Sequence, residues 1–131
     1  MSSSQSAEEG AHDAREYLRD RTRADPGLTP AERETTLALA HDRDSARIHS
    51  AEAAVVRRLL AHDGFDPARV GIHDGDTTRT VPFDEAVAAT GADDLVVRVR
   101  GTLPVRYLKI GAVGRNHDNH AAIVSKEVLG E

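Results

Sequence analysis

Two histidines and a carboxylate fall within a four-residue span in Asn116-His117-Asp118-Asn119-His120. His117, Asp118 and His120 together offer the nitrogen and oxygen donors that Zn, Mn or Ni accepts. On a strand the two imidazoles would face opposite ways, whereas a loop could bring them together, and the run from Gly111 to Asn119 has loop composition. A metal site usually needs a third or fourth protein ligand, and no second cluster at ligand spacing accompanies this one. The plain reading is a solvated polar loop, and the spacing alone does not match a His-Asn-His nuclease. A second group, His41, Asp42, Asp44 and His49, could gather imidazole and carboxylate for acid and base work on a hairpin. Turns are rich in Asp for conformational reasons, however, so this cluster too has an ordinary explanation. Gly-x-Ser-x-Gly, phosphate-cradling glycine loops and His-Glu-x-x-His are all absent, so no enzyme class declares itself. With no cysteine in the chain, disulfides, thiolate zinc sites and a cysteine nucleophile are excluded.

A third group is basic. Arg98, Arg100, Arg106, Lys109 and Arg115 lie on or beside the most strand-like part of the chain, and a curled sheet could present them together to phosphate. Guanidinium groups suit this because they bind phosphate oxygens in bidentate fashion. Tyr107 is the one aromatic residue nearby, so base stacking is poorly supplied. The alternative is a solvated or intersubunit face.

The charge distribution bears on the choice. The chain of 131 residues has a net charge of -5. Residues 1–94 hold 11 basic and 19 acidic groups, while residues 95–131 hold 6 basic and 3 acidic ones. An acidic front and basic back can pair within one molecule, pair between subunits, or meet an anionic partner.

The elements that must position these residues follow from periodicity. Ser6 to about Arg23 is rich in helix formers with Glu8 and Glu9 in the first turn, which predicts a helix ended by the turn signal Asp25-Pro26-Gly27. Its apolar stripe, Ala11, Ala14, Leu18 and Tyr17, is too thin to hold it firmly on a core. Residues 1–30 therefore read as a partly flexible arm, with these four side chains as its partner-binding face, and residues 31–131 as a single domain. Thr29-Pro30-Ala31-Glu32 has the form of a helix start, though only a short turn need follow.

Thr35, Leu37 and Leu39 alternate with Thr36, Ala38 and Ala40, and Asp42-Arg43-Asp44 turns the chain toward Ala46 and Ile48 on one face and Arg47 and His49 on the other. A helix continuing from Pro30 to Ala40 is the rival reading. Ser50 precedes a helix whose Val55, Val56, Leu59 and Leu60 form a compact patch, with Gly64 closing it and Phe65 folding back, and Arg57 and Arg58 on its wetted side. Val70 and Ile72 suggest a strand, Asp74-Gly75-Asp76 a turn, and Thr77 to Val81 a returning strand. Phe83 to Thr90 could form a short helix. Leu95 to Arg100, Val105 to Ile110 and Ala121 to Val128 complete the strands, separated by Gly101 to Pro104 and by the polar loop. The sum is an α+β domain, a small, mainly antiparallel sheet packed on one amphipathic helix, with an N-terminal helical arm. Aromatics are few, so the core rests on Val, Leu, Ile and Ala.

Glu34-Thr35-Thr36-Leu37, Ala46-Arg47-Ile48-His49-Ser50, Val55 to Leu60, Gly101-Thr102-Leu103-Pro104 and Leu108-Lys109-Ile110 together resemble small uncharacterised proteins of haloarchaea and their viruses or proviruses. The resemblance covers Glu34 to Ser125, rests on hydrophobic spacing, and implies an accessory or mobile-element setting without a catalytic residue. Abundant Asp and Ala beside only two lysines, Lys109 and Lys126, fits a halophile, although codon bias in a GC-rich genome gives the same skew. No apolar run approaches the roughly 18 residues of a membrane span, and Met1 to Ser6 lacks a secretory pattern. A cytoplasmic or virion location is therefore expected, with no membrane partner.

The expected function is a non-enzymatic protein-interaction or assembly module, acting as a homo-oligomer or with a protein partner and using no cofactor. The alternative is a nucleic-acid-binding factor using the basic strands. A metal-dependent hydrolase at His117 and His120 is third.

Overall fold

The computed structural model describes the backbone of residues 3–39, 44–113 and 118–123, and the side chains of residues 10–39 and 44–108. Helix α1 (Ser3–Asp20) is followed by a single 3-10 turn at Pro30–Glu32, then β1 (Thr35–Leu39), β2 (Ser45–Ser50), α2 (Ala53–Ala61), β3 (Asp66–His73), β4 (Thr78–Pro82), α3 (Phe83–Ala89) and β5 (Leu95–Pro104). A 3-10 turn at Val105–Tyr107 leads into the hairpin β6 (Leu108–Val113) and β7 (Asp118–Ile123). Five strands form one sheet in the order β1-β2-β5-β3-β4, every neighbouring pair antiparallel, and β6 and β7 form a separate two-stranded sheet. The architecture is α+β with a small antiparallel sheet and an N-terminal helix, as the periodicity predicts.

Alternation decides which face of the sheet is buried. Ala46 and Ile48 of β2, Val70 and Ile72 of β3, and Val99 and Leu103 of β5 have almost no exposed surface. They meet Val56, Leu59 and Leu60 of α2, whose spacing puts them on one stripe of the helix. Phe65 folds onto this cluster, as expected, and is itself 1 % exposed.

Tertiary contacts correct two expectations and decide between two rival readings. The sheet is covered by three helices instead of one, since Leu18 of α1 and Ala86 of α3 are both fully buried in the same core. The 3-10 turn after Thr29 stops after one turn, with the Thr29 N–H donating to Glu32 Oε1 at 2.8 Å, and the strand reading of 35–39 prevails over the helical one. Gly101 to Pro104 does not break the chain but completes the ten-residue β5. Gly101 is required there because a Cβ would meet the Phe65 ring, 2.7 Å from its Cζ, and the carbonyl oxygen of Asp66.

α1 is anchored as much by polar reach as by its apolar stripe. Arg15 donates to the carbonyls of His62, at 2.9 Å, and Phe65, and the Tyr17 hydroxyl donates to Thr90 O at 2.8 Å. Burial pushes the Arg15 guanidinium below its usual range, while Asp63 and Asp66 oppose that shift. Beyond the helix, Thr22 forms a parallel bridge to Val96, so the chain lies beside the start of β5 before turning out. Arg57, expected on the wetted side of α2, donates to Thr22 O at 3.0 Å and ties that segment down.

Candidate functional site

Register places a cationic row on the sheet face opposite the helices. Residues directly paired across antiparallel strands point to the same side, and Thr36 pairs with His49, His49 with Arg100, and Arg100 with Arg69. The next row runs Ala38, Arg47, Thr102, Asp66. The flanking residues Ile48, Val70 and Val99 face the core, so this side is the outer one. With strands about 4.8 Å apart, the row from His49 to Arg69 spans about 10 Å.

Arg47, Arg69 and Arg100 are exposed, and among the described residues none of them has a carboxylate within ion-pair distance. His49 is half-buried beside them. Burial lowers its pKa, and the positive charges of Arg100 and Arg98 lower it further, so the neutral ring is favoured. A groove of about 250 Å³ opens on this face, lined by Thr36, Leu37, Ala38, Arg47, Ile48, His49 and Arg100. The Arg47 and Arg100 guanidinium groups and the Thr36 hydroxyl that line it can donate hydrogen bonds to an anion, with Arg69 one strand further out.

Arg98 has a different role. Its side chain crosses the sheet over Gly71, where its Nη2 lies 3.5 Å from Asp25 Oδ2. Asp25 is buried, yet its carboxylate is well supplied. Oδ1 accepts the Gly27 N–H at 2.8 Å, closing the expected turn, and Oδ2 accepts the Thr78 hydroxyl at 3.2 Å. Thr78 Oγ1 also lies 3.1 Å from His73 Nδ1, and Arg33 donates to the carbonyls of Asp25 and Leu28. The network clips the 25–33 segment to β3, β4 and β5, with the Arg98 guanidinium held at its edge.

The sequence-derived site residues separate accordingly. Arg98 and Arg100 share the outer face, though only Arg100 is unpaired. Arg106 sits in the 3-10 turn after β5 with its guanidinium 5.1 Å from the centre of the Tyr107 ring, away from the row. Lys109 lies in β6 with its side chain outside the described residues, and Arg115 lies wholly outside them. Asp118 and His120 occupy β7 opposite Val113 and Gly111, while His117, like His41 and Asp42, is outside the described residues. Among the described residues no group of three or more metal-ligating side chains comes together.

The expected partner-binding face of α1 is also redistributed. Ala11 is exposed and Ala14 half-buried, but Leu18 is fully buried and Tyr17 is committed to Thr90 and to Arg21, whose guanidinium lies 3.5 Å over its ring. As a partner-binding residue Leu18 is corrected, because the α2 and sheet core already covers it.

Arg47 and Arg69 were not singled out as binding residues by the sequence. Arg47 was legible as the outward partner of His49 in the alternation. Arg69 was hidden because Phe65-Asp66-Pro67-Ala68 has turn composition, whereas β3 already begins at Asp66 and runs through a register shift between Pro67 and Arg69. No family model, curated protein or solved structure matches this chain.

Proposed function

We propose that this chain is a non-enzymatic nucleic-acid-binding module that holds a phosphate backbone on the outer face of its five-stranded sheet. The observation that carries the reading is the set of three exposed arginines, Arg47, Arg69 and Arg100, unpaired among the described residues and spread over three adjacent strands. In a chain of net charge -5, three exposed arginines gathered on one sheet face with no carboxylate at ion-pair distance among the described residues form a local positive field that attracts an anion. The row carries no Phe, Tyr or Trp and its one imidazole, His49, is half-buried, while Tyr107 is turned against His62, with ring centres 4.6 Å apart. Contacts would thus go to phosphate and sugar rather than to stacked bases, and binding would be largely independent of sequence.

The test is fluorescence anisotropy with single-stranded and duplex DNA in low salt. Arg47→Ala, Arg69→Ala and Arg100→Ala combined should abolish binding while leaving the fold intact by circular dichroism. Three phosphate contacts predict a slope of about -2 to -3 in log K against log salt. Equal affinity in the wild type and the triple variant would refute the reading. The haloarchaeal or viral setting is part of the same proposal. Molar salt removes most of the long-range attraction, so retention there would depend on direct arginine–phosphate hydrogen bonds.

A second reading, assembly through a protein interface, draws support from β1. This edge strand, Thr-Thr-Leu-Ala-Leu, has neither charge nor proline to blunt it, and Leu39 is 52 % exposed. Sedimentation of the wild type against Leu39→Lys tests it. A dimer that dissociates in the variant supports edge pairing, and a monomer in both rejects it.

A further inference from the structure

We infer that the groove beside β1 seats one backbone phosphate between Arg47 and Arg100, and that His49 takes up a proton as the phosphate enters. This inference rests on the nucleic-acid reading and adds a proton-linked step to it.

The geometry comes first. His49 occupies the middle of the groove, with Thr36 beside it on β1 and Arg100 opposite it on β5. Arg47 follows two residues earlier on the same strand and the same face. The groups around the ring can be taken element by element. β1 contributes Thr36 and Ala38, neither of which titrates. β2 contributes Arg47, β5 contributes Arg98 and Arg100, and β3 contributes Arg69 one strand further out. Of the acids near these rows, Asp66 stands opposite Thr102 at the far end of the Arg47 row, Asp25 is paired with Arg98 at 3.5 Å, and Glu34, two residues before Thr36, extends the β1–β2 pairing through its carbonyl, which accepts the Ala51 N–H. Glu52, near the end of β2, is engaged by the Thr35 hydroxyl.

An imidazole half-buried beside arginines holds a proton less easily, because the charged form loses water and meets nearby positive charge. Burial and the two β5 arginines accordingly hold its pKa below the usual histidine value. A phosphate seated between Arg47 and Arg100 reverses the local field. It supplies the missing negative charge and an acceptor for the ring N–H, so the protonated form becomes the favoured one. The sign follows from linkage: a group whose pKa is low in the free protein and raised in the complex makes the complex tighter as pH falls. The gain begins as pH drops below the bound-state value and saturates below the free-state value.

The probe is a DNA oligonucleotide of about 12 nucleotides with a 5′-hydroxyl end. It contains only phosphodiesters, since a terminal monoester titrates near pH 6 by itself. Affinity is measured from about pH 7.5 to about pH 5.5, around the ordinary histidine range, for the wild type and for His49→Gln. The wild type should tighten by up to about tenfold per pH unit more than the variant, the limit set by one proton. Parallel NMR titration of the His49 ring in the wild type should show its pKa rising when the oligonucleotide is present. Inorganic phosphate in place of the oligonucleotide distinguishes a site for any phosphate from one that needs the polymer. Identical pH slopes in wild type and variant, or a His49 titration that the oligonucleotide leaves unmoved, would overturn the proton-linked step and leave the nucleic-acid reading standing. No retention of the oligonucleotide at any pH would overturn both.

Discussion

The Arg98 side chain on β5 lies directly against the backbone of Gly71 on β3, filling the space that a Cβ at Gly71 would need. Contact at this point lets the guanidinium bridge the outer face of the sheet and the buried carboxylate of Asp25, 3.5 Å away. Gly71 is thus a packing glycine, and its small size is part of the polar clip.

Gly71→Ala should therefore destabilise the fold by about 1–3 kcal/mol, the usual range for overpacking a filled site. Because the clash is with Arg98 Cγ and Cδ, the cost should shrink in an Arg98→Ala background. Urea denaturation of the four proteins in this double-mutant cycle reads the coupling directly. Additive effects would mean that the strain is carried elsewhere.

Asp25→Ala should cost about 2–3 kcal/mol, toward the lower end for breaking a buried ion pair because Arg98 keeps a third of its side-chain surface in water. The variant leaves the Gly27 N–H and the Thr78 hydroxyl without their acceptor. Hydrogen exchange of the 25–33 segment should rise more than that of α2. Uniform exchange changes would contradict the local clip.

Leu18→Ala should lose about 2–5 kcal/mol by removing a fully buried side chain from the joint packing of α1 with the main core. Ala11→Ser, on the exposed part of the helix, should be nearly neutral. Thermal melts compare the two. Equal, small losses would restore α1 to the status of a detachable arm.

Asp74 supplies the pH-dependent element. Its Oδ1 accepts the N–H groups of Thr77 and Asp76, both at 3.0 Å, and these bonds hold its pKa below the ordinary carboxylate value. A folded-state pKa below the unfolded one stabilises the β3–β4 turn above the ordinary carboxylate range near pH 4, and that contribution disappears as pH falls through the lowered value. NMR of the turn amides from about pH 5 downward should show fraying in the wild type. Asp74→Asn, which keeps an acceptor oxygen but does not titrate, should lack this acid step.

Much of the fold was legible because its signals are local. The stripe Val56, Leu59 and Leu60 identified α2, the alternation from Thr35 to His49 identified the first hairpin, and Asp74-Gly75 identified the turn, whose Gly75 has a positive φ of 105°. The candidate site was only half legible. Arg100 follows from alternation in β5, but its neighbours Arg47 and Arg69 lie about 53 and 31 residues away in sequence. They meet only because β5 inserts between β2 and β3. Arg98 reads like Arg100 in sequence, yet a buried aspartate 73 residues earlier ties it down.

By itself the sequence determined the class of the fold, most of its helices and strands, and a strand face alternating arginine with valine. Periodicity suffices for these, since each depends on residues two to four positions apart. Tertiary structure alone decided that α1 belongs to the core, that the sheet order is β1-β2-β5-β3-β4, and which arginines remain unpaired. Those outcomes depend on burial and on charge pairing between residues distant in the chain, and no local pattern encodes which distant partner a side chain meets.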